Sequence, residues 1–499
     1  MPGSGASSSG FEAPGAAAAA QPVPRQNDSS PDSRLEGPNG EPSDLPPRSA
    51  GERGGEGGPR QSEAQREKDC VRRIRAQMPE GGLFARHTWR TAAAPFAVGA
   101  EMARSLEQMG RVLLQFYRAA NRLYELSVEG RQPAWVASWL DQGKPSELVA
   151  RQRAEAFQRE LPSVIRPDLL WTEEGLALVE LDSVPGGIGL TGWLNRAYAR
   201  EGWPVLGGED GMVQGFASIF GGARRVHIVI SEEAATYRPE MVWLSGQIPQ
   251  PPMAVRGTDF TDFAAGDAVY RFFELFDLPQ VACAEAVIGG AAAGRLRMTP
   301  PPKPLFEEKL LLALLWNRNL REFWRRELGE GFFRRMQEWV PYTWVVDPAP
   351  LPAQGSIPGL ELTDWRQLGE STQRERELVL KVSGFSERAW GSRGVYYGAD
   401  LSQSEWRAAV EEALASFPRT PYILQRFRRP KPVAVRWYDP GVDRVESMAG
   451  RVRLCPYYFV AGRGDGARAR LGGVLATVCP ADKKIIHGMS TAVLAPCRA

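Results

Sequence analysis

The chain has 499 residues, with 61 Lys and Arg against 59 Asp and Glu and a formal net charge of +2. So even a balance gives no overall attraction to nucleic acid or to an anionic membrane surface, and the length leaves room for roughly two to four structural units with a large core. Five scattered cysteines without a CxxC pair, and three separated histidines, exclude a disulfide scaffold and argue against a zinc centre; a reducing cytoplasm is the expected compartment.

Residues 1–66 are Gly, Pro, Ala and Ser with mixed charges, and Phe11 is the only aromatic there. Such a segment buries too little apolar surface to offset its ordering entropy, so a disordered tail is expected. The alanine tract at 16–20 lacks a basic flank and is too short for a secretory core, and no apolar run reaches the length of a membrane span.

From about residue 100 apolar residues recur at helical spacing: Met102, Leu106, Met109, Leu113, Phe116 or Tyr117, Ala120 and Leu123. This predicts a long amphipathic helix with one buried stripe. A second helix is expected over 144–161, with Ser146 as N-cap. The β-branched run at 223–231 predicts a buried strand feeding a helix, hence an α/β layer with His227 in its core. Residues 306–339 read as helical, and short strand-like runs then recur at 377–383, 422–427, 431–437, 452–460 and 472–478.

The stretch "VELDSVPGGIG" (179–189) ends an apolar run with two acids and a glycine-rich bend. Period two puts Glu180 and Asp182 on one face of a strand. "IRPDLLW" (165–171) is the candidate partner, and a three-residue loop ending in Gly175 would pair 172 with 176 and so set Asp168 opposite Glu180. Three carboxylates on one patch repel unless a cation lies between them. Hard oxygen donors without His or Cys suit Mg²⁺ or Mn²⁺; the alternative is a solvated acidic face on an edge hairpin.

Mg²⁺ held by few carboxylates commonly shares its shell with substrate phosphates. "LVLKVSGFSERAWGSRGV" (378–395) offers groups for them: Lys381 on an apolar strand, then Gly384, Ser386, Gly391, Ser392 and Gly394. The stretch is neither a Walker A motif nor a dinucleotide fingerprint, and a glycine-rich surface hairpin with a snorkelling lysine is the rival reading.

Together these segments resemble the glutathionylspermidine synthetase-like ATP-grasp proteins. "RPDLLWTEEGLALVELD" is similar to their metal-binding stretch, "LVLKVSGFSERAWGSRGV" to their lysine strand and phosphate loop, and "YILQRF" to the segment beside their adenine pocket. "ARLGGVLATV" resembles their C-terminal Gly-Gly strand, and "FEEKLLLALLW" the helix start carrying a second lysine, Lys309. The order, acids before lysines, matches the circularly permuted branch of that fold.

The resemblance implies an α/β (α+β) ATP-grasp fold. It would comprise the tail (1–66), a helical N-terminal part (67–164), a metal-binding hairpin with a Rossmann-like pre-ATP-grasp layer (165–305) and a nucleotide-binding region (306–499). It implies an ATP-dependent carboxylate–amine ligase working through an acyl phosphate, with ATP and Mg²⁺ as cofactors. The expected partners are a small carboxylate and an amine, not nucleic acid or membrane. Asp168, Glu180 and Asp182 would hold the metal. Lys309, Lys381, Gly384, Ser386, Gly391, Ser392, Gly394 and Gln425 would contact nucleotide, and Arg166 would steady the transferred phosphoryl group or the carboxylate.

The sequence departs from that family at two places. Asp182 stands where the family has Asn, and residues 474–480 lack the arginine that follows its Gly-Gly pair. The second departure keeps open a non-catalytic, ATP-binding scaffold of the same fold. Cys70 and His87 border the tail, and a structural or incidental thiol is expected at Cys70.

Overall fold

In the computed structural model the described residues are 63–83, 89–352, 355–389, 391, 393–483, 486 and 491–499. Ser392 and His87, and residues 1–62 of the expected tail, lie outside them. Helix α1 (Glu63–Ala76) begins inside the segment expected to be a tail and buries Cys70, and strands β1 (Arg90–Thr91) and β2 (Phe96–Ala97) follow. The long helix α2 spans Ala100–Val128 and buries the expected stripe from Leu106 on, with both Phe116 and Tyr117 inside and Met102 half-buried.

The second expected helix is broken. It consists of α4 (Ser146–Arg153) and the single turn α5 (Glu155–Gln158), after α3 (Ala134–Asp141). Ala154 is extended between them, and Ser146 is the first helical residue, with Pro145 at the cap and no side-chain capping bond. Proline fixes the chain's entry there and leaves no capping role for the serine behind it.

Hairpin β3 (Val164–Thr172) and β4 (Gly175–Asp182) comes next, then α6 (Ile188–Arg200) and α7 (Gly211–Ser218). A parallel layer follows: β5 (Val226–Ile230), α8 (Arg238–Gly246), β6 (Met253–Arg256), β7 (Ala268–Phe272), α9 (Ala284–Ala292) and β8 (Arg297–Thr299), with strand order β6-β5-β7-β8. His227 is buried in β5 beside Asp267, with 3.0 Å between Nε2 and Oδ2, as a core histidine would be.

Helices α10 (Leu310–Trp316) and α11 (Arg321–Trp339) lead into β9 (Thr343–Val345), β10 (Leu378–Val382), β11 (Val395–Tyr397), α12 (Gln403–Ser416) and β12 (Tyr422–Arg426). These strands make an antiparallel sheet of order β11-β10-β12-β9. The segment 321–339 joins the main core through Phe323, Trp324, Leu328, Phe333 and Met336; Trp324 stacks on Phe116 of α2 at 5.4 Å.

Strands β13 (Pro432–Asp439), β14 (Arg444–Ala461), β15 (Arg468–Pro480) and β16 (Val493–Arg498) complete the largest sheet, of order β1-β16-β15-β14-β3-β4. Hairpin β3–β4 therefore pairs with C-terminal strands across the expected boundary at 305. Residues 61–499 pack as one unit. No described helix is long and apolar enough to cross a membrane.

One joint of this unit is a buried lysine. Lys303 donates to Asn121 Oδ1, and to Phe157 O and Gln158 O at 3.1 Å each. Burial pushes its pKa down from 10.5 to about 8. Between those values the unfolded chain holds the proton and the folded chain does not, so the folded state gains stability as pH rises through that window. Relative to Lys303→Met, the wild type should gain about 2–3 kcal/mol of unfolding free energy from pH 8 to 10. Chemical denaturation at both pH values measures this, and a flat difference would show that Lys303 titrates normally.

Candidate functional site

Asp168 does stand opposite Glu180, and Arg166 opposite Asp182. The register arises differently from the expected loop. Thr172 pairs with Gly175 across a two-residue turn, and a bulge beside Asp168 takes up the one-residue difference. Gly175 has φ +118°, which a glycine tolerates at that corner. Glu180 and Asp182 accordingly share a face at the end of an edge strand, and they are largely shielded there, with side chains 33% and 15% exposed. A solvated acidic face does not describe them.

Each acid has a basic partner. Glu180 pairs with Lys309 at 3.0 Å. Asp182 pairs with Arg166 at 2.5 Å and accepts the Val184 N–H at 2.8 Å. Asp168 faces Arg166 at 3.3 Å and Arg453 at 2.9 Å, and Cys455 Sγ donates to it at 3.5 Å. Burial opposes the charge on Arg166, yet Asp168 and Asp182 hold its pKa well above the ordinary value. Burial raises the pKa of Asp182 despite Arg166, and burial, then Asp168, pushes the Cys455 thiol up to about 12. Among the described residues no group of three or more His, Cys, Asp or Glu is poised around a metal position.

Both lysines come to this face. Lys309 stands at the start of α10, and its ammonium also donates to Ala389 O at 3.3 Å. Lys381, on β10, donates to Val179 O at 3.2 Å and Gln425 Oε1 at 3.0 Å. Gln425 in turn donates to Thr343 Oγ1 at 3.1 Å. Burial lowers the Lys381 pKa to about 8, against the pull of Glu180. The lysine is buried against β4 and does not snorkel.

Glu180, Asp182, Ser183, Lys309 and the 384–386 turn line one cavity of about 40 Å³. A water needs roughly 10–15 Å³ of such space, so the cavity admits a small ion or a few waters. Ser386 lines it, and its hydroxyl accepts the Arg388 N–H at 3.2 Å. Gly384 is explained by packing: a Cβ there would lie 2.5 Å from Glu307 O. Gly391 sits in an exposed turn, while Gly394 O accepts from Val382 N at 3.0 Å where the loop rejoins the sheet. Asp168 and Arg166 do not line the cavity; they sit behind Asp182.

Two acids missed from the sequence complete the lining, Glu274 and Glu307. Glu307 pairs with Arg271 at 2.7 Å and accepts the Leu275 N–H at 2.9 Å. Burial first, then Glu307 and Asp182, drive the Glu274 pKa well above the ordinary carboxylate value. Glu274 follows the carboxyl end of β7, the edge of a parallel sheet where ligands bind; that position was the available signal. Arg453 approaches the same acids from β14, pairing with Asp168.

The glycine-rich bend after Asp182 serves packing. Gly187 has φ +88° and no room for a Cβ beside the Tyr457 hydroxyl. Its N–H and that of Leu190 donate to the fully buried Glu240 at 2.6 and 2.8 Å. Burial pushes the Glu240 pKa up to about 7, and these N–H groups oppose the rise. The bend thus turns the chain from the acidic strand into α6 under a buried carboxyl cap.

No family model matches this chain, and no curated protein sequence matches it. Among solved structures, it is similar to a glutathione synthetase-like effector from Globodera pallida in its apo form. The TM-score is 0.51 at 12% identity, covering 87% of this chain and 96% of that one. The fold is the mixed α/β fold of ATP-grasp-like synthetases. A protein from Methylobacillus flagellatus, provisionally assigned as a gamma-glutamylcysteine synthetase, matches at TM-score 0.36 and 13% identity over 80% of this chain and 89% of its own; at that score the likeness bears no weight.

Proposed function

We propose that the protein is an ATP-dependent carboxylate–amine ligase of the circularly permuted ATP-grasp type. The observation that carries this reading is the shared cavity: Glu180, Asp182, Lys309 and the 384–386 turn meet there, from segments far apart in sequence. The acids precede the lysines along the chain, as in the permuted arrangement. The name of the Globodera protein points to the same class of reaction. Five buried, unpaired cysteines suit a reducing compartment such as the cytoplasm.

In this reading ATP phosphorylates a substrate carboxylate, and an amine displaces phosphate from the acyl phosphate. Catalysis of that kind is positioning and charge neutralisation. Lys309 and Lys381 would meet nucleotide phosphates, with Gln425 orienting Lys381. The donor set fits Mg²⁺: hard carboxylate oxygens on the cavity wall, and a buried Ser183 hydroxyl without a hydrogen-bond partner. Glu180 and Asp182 would hold the ion, which would neutralise charge on the phosphates. Asp168 would serve by holding Arg166 and Arg453, and Arg166 would act through Asp182.

The test is ADP release from MgATP across panels of small carboxylates and amines. Release that depends on both substrates is the expected result. A non-catalytic nucleotide-binding scaffold is the second reading, favoured by the arginine missing from 474–480; it predicts MgATP binding with no such release.

A further inference from the structure

The corner between α3 and α4 is driven into the base of the candidate phosphate turn. Gln142 Nε2 donates to Pro418 O at 2.5 Å. Lys144 Nζ forms a 2.5 Å ion pair with Glu308 Oε1, and the two side chains are 0% and 1% exposed. A pair so completely desolvated is seldom worth more to stability than apolar residues of the same volume. Its presence beside a candidate site therefore asks for a positional reason.

The other oxygen of Glu308 supplies one. Glu308 Oε2 accepts the hydroxyl proton of Ser383, itself fully buried. With that proton committed, the Ser383 oxygen accepts the Leu310 N–H at 2.9 Å. Ser383 O accepts the Lys309 N–H at 3.0 Å, and Ser383 N donates to Pro421 O at 2.9 Å. One residue thus ties the strand that carries Lys381 to the helix start that carries Lys309. It also stands immediately before Gly384, Phe385 and Ser386. Phe385 has φ +46°, a conformation that a non-glycine residue holds only when its surroundings enforce it, and Lys144 lies 5.7 Å from the centre of its ring.

We propose that Lys144, Glu308 and Ser383 form a buried brace that holds Lys309 and the 383–386 turn in nucleotide-binding geometry. None of the three lines the cavity; they are positioning residues. The helical N-terminal part thereby supports the phosphate end of the site through Lys144, beside the Gln142 contact to Pro418. The inference rests on the reading of this site as a nucleotide site.

The experiment compares wild type, the double variant Lys144→Met/Glu308→Leu, and Ser383→Ala. It measures MgATP affinity by calorimetry, apo melting temperature, and hydrogen exchange across 383–389. The double variant should melt close to the wild type, because apolar side chains replace a buried pair. It should nevertheless bind MgATP about tenfold more weakly or worse and exchange faster at 383–389. A purely structural pair predicts that affinity returns with stability, and that result would overturn the brace. Should the double variant fail to fold, Ser383→Ala decides the matter: it leaves the ion pair intact, and wild-type affinity in it would also overturn the brace. A wild type that binds no MgATP removes the nucleotide reading and the brace together, whereas binding that is equal in wild type and variants removes the brace alone.

Discussion

Glu180→Gln is expected to abolish amine-dependent ADP release and to lower the melting temperature of the apo protein. The first effect follows from the cavity. Glu180 is one of two acids on β4 that line it, and a neutral amide there offers an oxygen without the negative charge that helps hold a divalent cation beside phosphates. The second follows from Lys309, which lies 3.0 Å away with its side chain 7% exposed. Breaking a buried ion pair by removing one partner costs about 3–5 kcal/mol when both are fully desolvated. Glu180 is a third exposed, so about 1–3 kcal/mol is the expected loss. From the sequence alone an unchanged or raised apo stability is expected, because two neighbouring acids repel and losing one relieves them; the lysine reverses that expectation. Activity retained in Glu180→Gln would remove Glu180 from the metal-binding role. A raised melting temperature would show that the Lys309 pair contributes nothing. The double variant Glu180→Gln/Lys309→Met should regain stability without regaining activity, which separates the two effects.

What the sequence revealed of this site depended on distance along the chain. The hairpin was legible because its two strands are adjacent and a period of two fixes which residues share a face. Even there the pairing of Asp168 with Glu180 came from a bulge that offsets a shorter turn, a pair of departures that local turn rules do not foresee. The orientation of Asp168 was not legible. Its partner Arg453 sits on β14, brought alongside β3 by sheet order, and no local pattern announces that neighbour. Glu274 and Glu307 escaped for the same reason: Glu307 lies inside a visible motif and Glu274 in none, and only the fold brings both to one cavity. The glycines were read as phosphate ligands because loops rich in glycine allow close backbone approach. At Gly384 close approach is real, and the backbone it approaches is Glu307 of the protein itself. The broken second helix shows the limit of propensity: nothing in 144–161 forbids a continuous helix, yet Ala154 is extended, and Phe157 and Gln158 present carbonyls to Lys303.

Lys381→Met should stabilise the apo protein slightly while weakening MgATP binding at least tenfold. The ammonium is buried, its hydrogen-bonding partners are the neutral Val179 carbonyl and Gln425 amide oxygen, and burial lowers its pKa from 10.5 to about 8. Below pH 8 the folded protein carries that charge at a cost of roughly 3 kcal/mol. Methionine removes the cost and fills the space, but it leaves two acceptors without their donor, which returns about 1–2 kcal/mol. A net gain near 1 kcal/mol at pH 7 is the expected balance. Because the folded pKa lies below the unfolded one, the wild type recovers stability as pH rises from 8 toward 10.5, so the advantage of the variant should shrink and reverse within that window. A residue that costs the resting fold and sits beside a candidate phosphate turn is best explained by what it does when an anion arrives: phosphate would supply the counter-charge that the apo site withholds. Denaturation of wild type and variant at pH 7 and pH 10, with calorimetry in MgATP, measures every part of this. A variant that is less stable at pH 7 and binds MgATP as the wild type does would make Lys381 a packing residue, and the nucleotide site would then have to be sought away from β10.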